Sequence, residues 1–145
     1  MRTRLTGALA VAMATASLAV PALAQAPTPN LVELGRSLFY GSVTPATPAR
    51  LRWEERPVPA AAARCANCHV ASQGAQPFGP PLTADALLTL APRRGGPPSA
   101  YDRDSFCRVV AQGVDNTGVM LSKVMPQYRL SDPECTALWS FLLTQ

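Results

Sequence analysis

The chain has 145 residues, 48% of them hydrophobic, with 13 basic and 9 acidic side chains, one histidine and four cysteines. Its formal charge of +4 is no nucleic-acid footprint, because Arg93-Arg94 is the only adjacent basic pair and no basic helix face appears. The length suits one small domain, and 15 prolines with 9 glycines imply many ordered loops around a modest core.

The N-terminus reads as a secretory signal. Arg2 and Arg4 precede an apolar and small-residue run from Leu5 to Val20, then Pro21 and the Ala22-Leu23-Ala24 cleavage motif. The run is rich in Ala and Thr and shorter than the roughly 20 strongly apolar residues of a spanning helix. Residues 1–24 are therefore expected to be removed, leaving a near-neutral single domain over 25–145 in the periplasm. No second apolar run of spanning length follows, so no membrane anchor is expected after cleavage.

Asn30 can cap a helix from Leu31 to about Phe39, with Glu33 at the capping-box position and Leu31, Leu34 and Leu38 at helical spacing. Gly35 falls on that face, where a small residue admits a second helix. A Pro-, Thr- and Arg-rich stretch at about 41–59 reads as a loop insert. An Ala-rich helix from Ala60 to His69 is expected next, then a turn-rich segment from Ser72 to Pro81 and a short helix from Ala84 to about Leu90 capped by Thr83. Pro92–Pro98 (PRRGGPP) breaks the chain. Tyr101 to Gln112 reads as a helix ended by Gly113, a loop carries Met120 and Met125, and the last helix opens at Ser131-Asp132-Pro133-Glu134. No strand is expected.

The chemistry concentrates at Cys65-Ala66-Asn67-Cys68-His69. A redox dithiol of the thioredoxin kind needs a strand ahead of its helix, and none precedes Cys65. A structural zinc site needs four ligands, for which the chain offers only Cys65, Cys68, His69, Cys107 and Cys135, with Cys68 and His69 adjacent and poorly placed to share one ion. C-x-x-C-H is instead the attachment signature of c-type haem. Thiols three residues apart share one face of a helical turn and reach two vinyl groups, while the next residue offers its imidazole to the iron. His69 is then the proximal ligand, and, as the only histidine, it leaves the sixth position to a methionine. Met125, followed by Pro126 on an extended loop, is favoured over Met120 in the tighter 116–119 turn, packing being the alternative role of either.

With these residues the chain resembles a monohaem class I cytochrome c of the bacterial periplasmic type. Gly35 and Phe39 match that family's Gly-x-x-x-aromatic pair, Leu138 and Phe141 its apolar-x-x-aromatic pair, Gly79-Pro80-Pro81-Leu82 its Gly-Pro-x-Leu segment and Met125-Pro126 its methionine loop. The resemblance implies an all-α fold of several short helices around one covalent haem c, with the N- and C-terminal helices crossing. It implies iron held by His69 and Met125, and a backbone carbonyl near Pro80 accepting the Nδ1 proton of His69. The insert at 41–59, with Trp53 and Glu54-Glu55-Arg56, departs from compact members of the family. So do Cys107 and Cys135, left over after haem attachment; an even remainder in an oxidising compartment favours a disulfide, free thiols being the alternative.

The implied function is one-electron transfer, not catalysis, with redox protein donor and acceptor docking transiently at the haem edge. The alternatives are an electron-transfer subunit of a periplasmic dehydrogenase or oxidase complex, and an open-site haem enzyme or gas-binding protein, against which the lack of a second histidine argues.

Overall fold

The computed structural model describes residues 30–54, 56–71 and 74–145. The proposed signal segment, Ser72 and Glu55 lie outside the described residues. In chain order the elements are α1 (Leu31–Tyr40), α2 (Ala66–His69), α3 (Ala84–Leu88), β1 (Ala91–Pro92), β2 (Pro98–Ser99), α4 (Arg103–Gln112) and α5 (Asp132–Leu142). None of the described helices is long and apolar enough to cross a membrane.

Helix α1 starts where Asn30 Oδ1 accepts the Val32 N–H at 3.0 Å and ends at Gly41, whose φ of 76° is the left-handed conformation a C-cap favours. Glu33 pairs with Arg36 at 3.4 Å and does not close a capping box. Boxes form instead on α4, through Asp102 and Ser105, and on α5, through Ser131 and Glu134 with Pro133 in the first turn.

Helices α1 and α5 pack directly against each other. A Cβ on Gly35 would run into the Ala137 carbonyl and stand 2.7 Å from the Phe141 Cβ, so only glycine permits this crossing. Phe39 and Phe141 meet with ring centroids 5.5 Å apart, and Ala137, Phe141 and Leu142 are fully buried. Burying a side chain such as Phe141 stabilises by about 1.5–3 kcal/mol. Helix α4 joins α5 through the Cys107–Cys135 disulfide, the Phe106–Trp139 ring contact at 5.4 Å, and the Arg103 guanidinium, which donates to Thr136 Oγ1 at 2.8 Å.

The expectation of an all-α, class I cytochrome c fold is corrected here. The described chain contains a two-stranded antiparallel sheet, Ala91 facing Ser99 and Pro92 facing Pro98, and its helices of 10, 4, 5, 10 and 11 residues leave most of the chain in loops. Nor do the described residues gather three or more His, Cys, Asp or Glu side chains around one point. The sheet forms because Arg94 (φ 47°) and Gly95 (φ 78°) both take positive φ, so the PRRGGPP tract reverses as a hairpin rather than merely breaking the chain. The helix expected from Ala60 shrinks to α2, since Pro59 starts a separate turn in which its carbonyl accepts the Ala62 and Ala63 N–H groups. The helix expected from Tyr101 begins at Arg103, since Asp102 turns its carboxylate onto the Ser105 N–H at 2.7 Å and becomes the cap.

Candidate functional site

The short helix α2 places Cys65 at its start and His69 at its end, and the next segment is folded back upon it. The Gly79 N–H donates to the Cys68 carbonyl at 2.7 Å, and the His69 Nδ1–H donates to the Pro80 carbonyl at 2.7 Å. A carbonyl only accepts, so the proton is on Nδ1 and Nε2 keeps its lone pair. Burial, the leading cause, holds the His69 pKa below its ordinary value, with the nearby Arg94 charge acting the same way against the Pro80 contact. The ring lies so close to the chain at Gly79 that a Cβ there would meet its Cε1 at 2.6 Å and its Nδ1 at 2.7 Å. Gly79 is therefore a seat for the imidazole, a role that neither periodicity nor turn propensity signals.

Cys65 and Cys68 are free thiols, while Cys107 and Cys135 are joined. Burial pushes the Cys65 thiol up to about 11. A reactive thiol needs the opposite, a pKa lowered toward neutrality, so burial makes Cys65 a poor nucleophile. Asn67 Nδ2 donates to the Ala61 carbonyl at 2.8 Å, and the Tyr128 hydroxyl donates to the Ala63 carbonyl at 2.7 Å, holding the chain ahead of the motif. Burial raises the Tyr128 pKa as well, so it stays a neutral donor.

These residues border an apolar cavity of about 330 Å³, within the range of small-molecule and cofactor sites. Cys65, His69 and Met125 all line it, together with Pro80, Pro81 and Leu82 from the folded-back segment. Phe106, Val109 and Val110 of α4 and Leu138 and Leu142 of α5 supply the apolar wall, and Arg93, Arg94 and Tyr101 bring polar groups to it. Cys68 is not part of the lining. Met120 is not either: it is 64% exposed and its Sδ lies 3.5 Å from Arg52 Nη1. A second cavity of about 330 Å³ shares Cys65, Tyr128, Leu130 and Leu138 with the first and is closed by insert residues including Val43, Pro45 and Ala49.

The donor set suits a covalently attached haem. One imidazole has a free Nε2 and a fixed orientation, one half-buried thioether lines the same apolar space, and two unpaired thiols stand at the motif. No protein-family model, no curated protein and no solved structure matches the chain.

Proposed function

We propose that the chain is a c-type cytochrome, a one-electron carrier exported to the periplasm. The observation that carries this reading is that His69, Met125 and Cys65 line one and the same apolar cavity, with the His69 ring oriented by Pro80. Cys65 and Cys68 would attach one haem through thioether bonds, and His69 and Met125 are the residues that would hold its iron. A haem held there would supply a one-electron iron couple. The protein's part is to keep His69 neutral, to exclude water with the α4 and α5 wall, and to offer Arg93 and Arg94 to the carboxylates of the group. A thioether ligand in an apolar pocket raises the reduction potential.

The test is the mass of the exported protein after acid-acetone extraction. Retention of one haem mass, lost in the Cys65→Ala, Cys68→Ala double variant, supports covalent attachment; haem released from the unsubstituted protein by the extraction rejects it.

A second reading is favoured by one residue. Trp53 is 91% exposed at φ 68°, a conformation rare for a bulky side chain, so the insert presents an indole to solvent. That presentation suits a dedicated electron-transfer subunit of a periplasmic dehydrogenase or oxidase complex. Co-purification of a stoichiometric partner that is lost in Trp53→Ala distinguishes it from a free carrier.

A further inference from the structure

The insert does not hang free. It contacts the connection between α4 and α5, the segment that carries both methionines, at several separate points. The Arg50 N–H donates to the Gln127 carbonyl at 3.1 Å and the Gln127 N–H returns to the Arg50 carbonyl at 2.7 Å, a reciprocal antiparallel pair two residues beyond Met125. Ala46 N–H donates to Glu134 Oε1 at 2.8 Å, in the first turn of α5. Arg52 takes the other end: its Nη2 donates to the Gly113 carbonyl at the C-cap of α4, and its Nη1 approaches the Met120 sulfur.

The Gly113 carbonyl is where the connection departs, and it also accepts the Leu121 N–H at 2.9 Å. One oxygen with two lone pairs thus anchors both the insert and the first reversal of the methionine loop. A connection of this length with only short-range bonds of its own would open locally at low cost. Tyr128 bonds to Val110 and Ala63 and Asn116 to Ala100, and to these the insert adds its own long-range bonds at Gly113, Gln127 and Glu134.

We infer that the 41–59 insert is a brace for the methionine loop and that Arg52 is its positioning residue. By pinning Gly113 and engaging the Met120 sulfur on the outer surface, Arg52 determines that Met125 and not Met120 faces the cavity. The brace itself stands on hydrogen bonds alone; its consequence for ligand choice rests on the haem reading above.

Two readouts on the intact haem-loaded protein separate these levels. The first is amide hydrogen exchange by NMR in the ferrous protein. Arg52→Ala is expected to speed exchange at Leu121 and Gln127 by about tenfold or more while Leu138 of α5 stays within about twofold, as local opening predicts. Arg52→Lys, which keeps the charge but loses the fork, is expected to give an intermediate acceleration at the same two amides. The second readout is the methionine-to-iron charge-transfer band of the ferric protein. In Arg52→Ala it is expected to fall or split into two populations, and adding Met120→Leu should return it to one. Unchanged exchange at Leu121 and Gln127 overturns the brace. So does acceleration spread equally over α5, which would mark Arg52 as a general stabiliser; should Arg52→Ala not fold, Arg52→Lys decides between these outcomes by the same comparison. An unchanged band with accelerated exchange overturns ligand selection while leaving the brace. If the unsubstituted protein lacks the band, the methionine ligation falls, and the exchange data alone decide the brace.

Discussion

The imidazole of His69 is held between two neighbours in sequence, Pro80, whose carbonyl accepts its Nδ1 proton at 2.7 Å, and Gly79, whose missing side chain makes room for the ring. The orientation of the one histidine therefore depends on a glycine ten residues away, and the outcome of changing it can be stated. In Gly79→Ala the new methyl would compete with Cε1 of the ring at 2.6 Å. Forcing a methyl into such a contact costs about 1–3 kcal/mol. Chemical denaturation of the apoprotein should show that loss, and the ferric spectrum of the loaded protein should show altered histidine ligation. A Gly79→Ala protein with unchanged stability and spectrum contradicts the role assigned to Gly79.

The two methionines should behave oppositely. Met125→Ala is expected to abolish the ferric methionine band, lower the midpoint potential and open the site to exogenous small ligands, because a hard oxygen donor favours ferric iron. Met120→Ala is expected to leave the spectrum intact, since that side chain is exposed and lies outside the cavity. The reverse pattern would reassign the ligand. Lys123 is two residues from Met125 and could fill a vacated position at high pH, so the comparison belongs near neutrality.

Gly35→Ala tests the helix crossing. The substitution drives a methyl toward the Ala137 carbonyl and Phe141, and backbone cannot yield as a side-chain tip does. A loss of at least about 1–3 kcal/mol is expected in denaturant titration, the usual scale for overpacking. A change below about 0.5 kcal/mol, the range of ordinary surface substitutions, would mean that α1 and α5 do not meet at this residue.

The disulfide joins residues 28 apart in sequence and encloses the whole methionine loop. The Cys107→Ser, Cys135→Ser double variant is expected to lose about 2–4 kcal/mol, through freedom returned to the unfolded chain. Alkylation of denatured, unreduced holoprotein should label no thiol; two labelled thiols would refute the pairing.

Glu134 gives a pH signature. Burial alone would raise its pKa, but the Ala46 N–H, the Ser131 N–H and the Ser131 hydroxyl outweigh burial and hold the carboxyl below its ordinary 4.5. With the folded pKa depressed, the contribution is fully present above about 4.5 and lost as pH falls through the folded value. Glu134→Gln should therefore be less stable than the natural protein near neutrality, and the gap should close as acid is added. A gap independent of pH would show that the carboxylate charge contributes nothing.

Helices α1 and α5 were legible in the sequence because their signals are local: Asn30 and Ser131 as caps and apolar residues at helical spacing. The motif and the two methionines could be singled out by residue type, since soft ligands are few. What could not be read was set by distant partners. The sheet depends on two positive-φ residues inside a tract whose prolines suggest only interruption. Arg52 and Gly113 are 61 residues apart, and no pattern within the insert announces that its arginine caps a helix elsewhere. Gly79 carries the signature of a turn, and only the packed His69 ring shows that space, rather than backbone freedom, is what the glycine provides.

The half-buried thiol of Cys65 bears on how the molecule matures. Cys107 and Cys135 are joined while Cys65 and Cys68 are free, and on the haem reading the second pair must stay available for attachment. Exchange proceeds through the thiolate, and a thiol raised to about 11 is almost entirely protonated at neutral pH. Burial of this sulfur therefore slows its exchange in the folded chain. Leu138 lines both cavities that Cys65 borders, so on the haem reading Leu138→Ala is expected to give scrambled disulfides involving Cys65 before any loss of helical structure, as peptide mapping would show.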